Sequence, residues 1–144
     1  MSDATTAPAP PPATGTGRAA VVLVVDDSRT MRGMMKMQLL PDAYEFLEAE
    51  TAERAFTLAR LMRPAAAVVD LHLPGMDGLD LVTRLRAEAN PTVNQLGVVL
   101  VTGDDLELHR SRAGAVGVEL LLRKPLAPGK LRDAVAKLVG QRSA

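Results

Sequence analysis

The sequence has no cysteine and no tryptophan, and its only aromatic side chains are Tyr44, Phe46 and Phe56. Without thiols there are no disulfides, no thiolate metal sites and no cysteine nucleophile. With so few rings, the stacking platforms that grip single-stranded nucleic acid are excluded. Neither charge sign dominates: 17 basic residues face 17 acidic ones, so no electrostatic footprint points to a nucleic-acid partner. The longest strongly apolar run, Ala19 to Val25, is far shorter than the ~20 residues needed to span a membrane. The N-terminus lacks the basic stretch and apolar core of a signal peptide. These absences lead us to expect a small cytoplasmic domain with no nucleic-acid or membrane partner.

What is present divides near residue 18. Positions 1–18 are almost wholly Ala, Pro, Thr, Ser and Gly, and four of the ten prolines fall between Pro8 and Pro12. Such a stretch has too little apolar surface to offset its ordering entropy and reads as a disordered tail. The domain proper is expected over 19–142. Within it, short runs apolar on both faces, at Ala19–Val25, Ala65–Val69, Leu96–Val101 and Val118–Leu122, read as buried parallel strands; Tyr44–Ala49 is a weaker fifth. Amphipathic stripes lie between them: Met31, Met34, Met35 and Leu39; Ala52, Ala55, Phe56 and Ala59; Leu81, Val82, Leu85 and Ala89; Leu131, Ala134, Val135, Leu138 and Val139. Asp104–Val116 is the poorest helix, and Asn90–Gln95 reads as a loop. Strand and helix thus alternate five times, which predicts an α/β fold: a doubly wound (βα)5 flavodoxin-like parallel sheet, order 2-1-3-4-5, with helices on both faces.

In such sheets ligands bind beyond the carboxyl ends of the strands. Asp26 and Asp27 follow the first strand, Asp70 the third, Thr102 the fourth, and Lys124 with Pro125 the fifth. Each has a plain role alone: Asp27 or Ser28 as a helix cap, Asp70 as a loop carboxylate, Lys124 as a solvated amine. Together they are more specific. Three crowded carboxylates repel unless a cation neutralises them, and an oxygen-only donor set suits Mg²⁺. A carboxylate flanked by a cation, a hydroxyl and an ammonium is arranged to receive a phosphoryl group, with Asp70, on the central strand, as its nucleophile.

The segments Val24-Val25-Asp26-Asp27-Ser28-Arg29-Thr30-Met31-Arg32, Val68-Val69-Asp70-Leu71-His72-Leu73-Pro74-Gly75-Met76-Asp77-Gly78, Val101-Thr102-Gly103 and Arg123-Lys124-Pro125 carry a resemblance. Over about residues 19–140 the chain resembles the receiver domain of two-component response regulators, its opening motif being most similar to chemotaxis-type, single-domain receivers. The resemblance implies that Asp70 accepts phosphate from the phosphohistidine of a sensor histidine kinase or phosphotransfer protein, or from a small acyl phosphate. It implies Mg²⁺ held by Asp27, Asp70 and the backbone carbonyl of His72, with Asp26 acting largely through water. Thr102 and Lys124 would each contact a phosphoryl oxygen, and Pro125 would follow a cis peptide bond.

At the position where receivers often carry Tyr or Phe, this chain has Leu121, either a switch residue without a ring or ordinary packing. His72 and Asp104 occupy positions that tune acyl-phosphate lifetime in the family; the plainer reading makes them solvated loop residues. His109 reads as a surface residue. The expected function is a stand-alone regulator whose fourth helix, fifth strand and fifth helix dock a downstream target protein. The alternatives are a receiver fragment of a larger regulator, a phosphate sink, a scaffold, and an aspartate-nucleophile phosphohydrolase. The last usually places a second carboxylate two residues after its nucleophile on the first strand, a spacing absent here.

Overall fold

The computed structural model describes residues 19–143; the tail expected over 1–18 lies outside them. Five strands form one sheet: β1 (Val21–Val25), β2 (Glu45–Ala49), β3 (Ala66–Asp70), β4 (Gly97–Thr102) and β5 (Leu120–Arg123). Their spatial order is β2-β1-β3-β4-β5, every pairing parallel. This is the doubly wound topology that the alternating runs predict. Five helices of six residues or more connect or follow the strands among the described residues: α1 (Arg29–Leu39), α2 (Ala52–Met62), α3 (Gly78–Arg86), α4 (Arg110–Ala115) and α5 (Lys130–Ser143). Among the described residues no helix is long and apolar enough to cross a membrane.

The two-residue side-chain period of a strand divides the core into two layers. Leu23, Val25, Ala67, Val69, Val98 and Leu100 face α2, α3 and α4. Val22, Val24, Ala66, Val68, Val99 and Val101 face α1 and α5, meeting Met35, Leu39, Leu131, Val135 and Leu138. Burial on both faces explains why the strands read as continuous apolar runs rather than alternating ones.

Local chemistry sets the helix starts beside the strand ends. The Ser28 hydroxyl accepts the Met31 N–H at 3.1 Å, and the Thr51 hydroxyl accepts the Arg54 N–H at 3.1 Å. Asp77 and Asp80 close a reciprocal capping box at α3. Helix α2 stops where Arg63 turns left-handed at φ 49° ahead of Pro64.

Three readings need correction. Asn90–Gln95 is not a simple loop: Pro91–Asn94 forms one helical turn, capped by the Asn90 side chain on the Thr92 N–H, with Val93 buried. Met34 is half exposed on α1, and Ala89 lies beyond the end of α3, so neither belongs to its core stripe. The stretch 104–116 is broken into a 3-10 turn, Leu106–Leu108, and the six-residue α4, of which only Ala113 is buried.

Arg86 ties the end of α3 to these two connections. Its guanidinium donates to the carbonyls of Val116 at 2.8 Å, Leu96 at 2.7 Å and Asn94 at 3.0 Å. Arg86→Leu leaves three partly buried carbonyls without that donor, each costing about 1 kcal/mol or more when unpaired. We expect a loss of about 2 kcal/mol in urea unfolding with the chemistry at the carboxyl ends of the strands unchanged. A loss below roughly 0.5 kcal/mol would mean water replaces the guanidinium fully.

Candidate functional site

The carboxyl ends of β1, β3, β4 and β5 converge on one crevice. Asp26 and Asp70 are buried, at 1% and 4% exposure, whereas Asp27 is exposed. One carboxylate oxygen from each of the three can be chosen so that all lie within 4.8 Å of one another. Lys124 reaches in from β5: its Nζ lies 3.2 Å from Asp26 Oδ2 and 3.2 Å from Asp70 Oδ1. Thr102 ends β4, fully buried, and its Oγ1 accepts the Asp104 N–H at 3.1 Å. The Lys124 N–H donates to the Thr102 carbonyl at 2.8 Å, and the Lys124–Pro125 bond is cis.

Each position follows from its neighbours. Asp26 is fixed by the Ser28 N–H on its Oδ1 at 2.8 Å and by Arg32, which donates to its carbonyl at 2.6 Å. The Leu71 N–H binds the Val101 carbonyl at 2.9 Å, extending the sheet one residue past Asp70. The chain then turns back so that the Gly78 N–H reaches the Leu71 carbonyl at 2.7 Å. A side chain at 78 would begin 2.5 Å from the Asp70 carbonyl oxygen; only glycine admits this approach.

The electrostatics are lopsided. Burial pushes the Asp70 carboxyl above its ordinary range and the Asp26 charge adds to this; Lys124 and the His72 N–H pull it back without cancelling the rise. For Lys124, burial opposes the charge, but the carboxylates of Asp70 and Asp26 outweigh it and raise the ammonium above its usual value. One cation therefore serves two buried acids, and negative charge remains in excess. All three acids offer oxygen, the donor set that suits a hard divalent cation such as Mg²⁺.

Of the other sequence-predicted positions, Leu121 is half-buried against the layer formed by α2, α3 and α4. His72 and Asp104 are not independent solvated residues: His72 Nε2 lies 2.7 Å from Asp104 Oδ2. His109 is not a plain surface residue either. Its side chain is only 19% exposed, and its Nε2 lies 2.8 Å from the same oxygen. The neighbouring imidazoles, His109 first and then His72, hold the Asp104 carboxyl below the usual carboxylate range. Sequence reasoning also missed Arg112, which grips both oxygens of Asp77 at 2.8 and 3.0 Å and Asp80 at 2.8 Å, joining α4 to the start of α3. The surface recess lined by Ala65, Gly97, Leu138 and Gln141 lies at the amino ends of β3 and β4, away from the acids.

A family model described as the response regulator receiver domain matches residues 22–136. The chain belongs to that family. It is a receiver domain of two-component response regulators. The transcriptional regulatory protein SrrA of Staphylococcus aureus (strain NCTC 8325 / PS 47) is 31% identical over 107 residues, covering 74% of this chain and 42% of SrrA. This receiver chain thus spans about two fifths of the length of the curated relatives it matches. Among solved structures, a response regulator receiver protein from Pseudomonas putida is 29% identical with TM-score 0.75, covering 83% of this chain and 98% of that one. The chemotaxis response regulator CheY4 of Vibrio cholerae is 26% identical with TM-score 0.75, over 84% and 99% of the two chains.

Proposed function

We propose that this receiver domain is a phosphorylation-controlled switch in which Asp70 accepts a phosphoryl group in a Mg²⁺-dependent reaction. The donor is the phosphohistidine of a sensor histidine kinase or phosphotransfer protein. The observation that carries the reading is the convergence of three carboxylates with the Lys124 ammonium at 3.2 Å from Asp70. In this reading Asp27, Asp70 and the His72 carbonyl hold the ion, with Asp26 behind them; when bound, Mg²⁺ supplies the positive charge that the phosphoryl oxygens require. An Asp70 carboxylate oxygen forms the new O–P bond as the N–P bond of phosphohistidine breaks. The imidazole leaves with the bonding pair and takes a proton from solvent. Lys124 pairs with one phosphoryl oxygen. The Thr102 hydroxyl, which accepts from Asp104 in the structure, retains its proton to donate to another.

The added charge draws Thr102 toward Asp70 and shifts the balance between arrangements of α4 and β5. A target protein then docks on the face made by α4, β5 and α5, with Leu121 beneath it in β5. Two features support this output: α4 is anchored through one buried residue, and β5 is an edge strand. The likeness to CheY4 favours a chemotaxis-type regulator working in the cytoplasm; the likeness to SrrA favours a receiver serving a larger regulator. The phosphoryl chemistry is common to both.

The test is intact mass after incubation with Mg²⁺ and acetyl phosphate. We expect a gain of one phosphoryl group in the wild type and none in Asp70→Asn or in chelator. Equal labelling of Asp70→Asn overturns the assignment. Multiple turnovers of a phosphate monoester without a trapped intermediate would instead indicate a phosphohydrolase.

A further inference from the structure

The side chain that opens α4 turns away from its own helix. His109 stands at the N-cap position yet makes no capping hydrogen bond. Its Nε2 lies instead 2.8 Å from Asp104 Oδ2. His72, from the segment after β3, reaches the same oxygen at 2.7 Å. An ionised carboxylate only accepts, so both imidazoles donate through Nε2–H. Asp104 is thereby clamped between the segment after β3 and the start of α4. The backbone of the same residue serves the crevice: its N–H donates to Thr102 Oγ1 at 3.1 Å. Contacts through one residue thus run from the buried hydroxyl at the end of β4 to the start of α4.

We propose that His109 is a positioning residue for the phosphorylation site, acting through Asp104 to couple the Thr102 hydroxyl to the start of α4. The inference rests on Asp70 as phosphoryl acceptor and names the route by which that site reaches α4. Thr102 Oγ1 approaches a phosphoryl group on Asp70 either by pulling the Asp104 N–H with it or by leaving that N–H. Either way the turn Thr102-Gly103-Asp104 is reset, and the Asp104 carboxylate shifts off His109. The link from the same turn to β5 is of another kind: Arg123 donates to the Gly103 carbonyl at 3.3 Å and touches no part of α4.

What else holds α4 is slight. Ala113 is its one buried residue, and Arg112 ties its outer side to Asp77 and Asp80. A charge-assisted hydrogen bond at the end of so short a helix is a large share of what orders it. Loss of the His109 bond therefore frees the first turn of α4 while Arg112 keeps its own partners. Linkage makes the coupling reciprocal: whatever eases release of α4 also favours the phosphoryl-bound arrangement. His109 touches no reacting atom, so its effect on the crevice passes wholly through Asp104.

The experiment is deuterium uptake over residues 110–116 of the full chain in Mg²⁺, with and without beryllofluoride as a phosphoryl mimic. Fluorine NMR reports whether the mimic is bound. In the wild type we expect it to speed exchange over that segment about fivefold or more. His109→Ala should exchange at the faster rate without the mimic and respond less than about twofold. It should also bind beryllofluoride more tightly than the wild type. His109→Gln, whose amide still donates to Asp104, should restore the wild-type response. Arg112→Gln is the structural control: it should raise exchange in both states and keep the response. A response of wild-type size in His109→Ala overturns the proposal, as does one lost equally in Arg112→Gln. If the mimic binds the wild type without changing exchange over the segment, the coupling falls while Asp70 stands as acceptor. No bound mimic in the wild type, or an equal amount in Asp70→Asn, overturns both.

Discussion

Alanine at Gly78 is expected to lower the unfolding free energy by about 3 kcal/mol and to slow labelling of Asp70 in the same variant. The added methyl carbon would sit 2.5 Å from the Asp70 carbonyl oxygen and 2.9 Å from Val69 Cγ1. Overpacking ordinarily costs about 1–3 kcal/mol because side chains yield. Here the nearer obstacle is backbone in the central strand, paired on both sides by β1 and β4, so the cost falls at the upper end. The strain is relieved only by moving Gly78 away, which breaks its 2.7 Å bond to the Leu71 carbonyl, or by moving Asp70 itself. For a domain of this size, 3 kcal/mol corresponds to a fall of roughly 10 °C in melting temperature. Urea unfolding and the rate of acetyl-phosphate labelling check both halves. A loss under about 1 kcal/mol with normal labelling would show that the turn after β3 relaxes at little cost.

The second large effect concerns pH and divalent cation. Folding raises the Asp70 carboxyl above its ordinary value, through burial and then the Asp26 charge. The folded chain therefore holds that proton more tightly than the unfolded chain does. By linkage, ionised Asp70 costs stability. The cost is absent below the ordinary carboxyl value of 3.8, grows as pH rises toward the folded value, and is fully present above it. In chelator at pH 7, Asp70→Asn should melt above the wild type, and the gap should close as pH falls toward 4. Mg²⁺ should reverse the ranking, since only the wild type keeps the complete acid set. At a Mg²⁺ concentration one hundredfold above its dissociation constant, the wild type gains about 2.7 kcal/mol. Equal melting temperatures at pH 7 in chelator, or equal Mg²⁺ gains in the two proteins, would refute this account of the crevice.

The sheet and the acid crevice were legible in the sequence because both depend on short-range pattern. Val21–Val25 and Ala66–Val69 are continuous apolar runs because both faces are covered, and the crevice residues closely follow or end such runs. What escaped is non-local. His109 reads as a surface residue because nothing in its neighbourhood shows that Asp104 is also held by His72, 32 positions away. The Arg112 grip on Asp77 joins residues 35 apart. The bond from Arg86 to the Val116 carbonyl spans 30. Pro91–Asn94 escaped for another reason: a single turn is too short to show helical periodicity, and an Asn-Pro start signals a turn as readily as a capped helix. Met34 shares a face with Met31 and Met35 on a helical wheel, but at the margin of the buried stripe, where only packing decides exposure.

Helix α4 keeps a single methyl group, Ala113, in the interior, and a salt bridge exposed to solvent at its flank. A segment held so lightly is free to unfold by itself while the rest of the molecule stays native. Its amide protons should exchange with deuterium well before those of β3. It also follows that the outward residues of α4 are open to extensive substitution without loss of the native state. Binding preference on that side of the molecule can thus be rewritten without repacking the sheet.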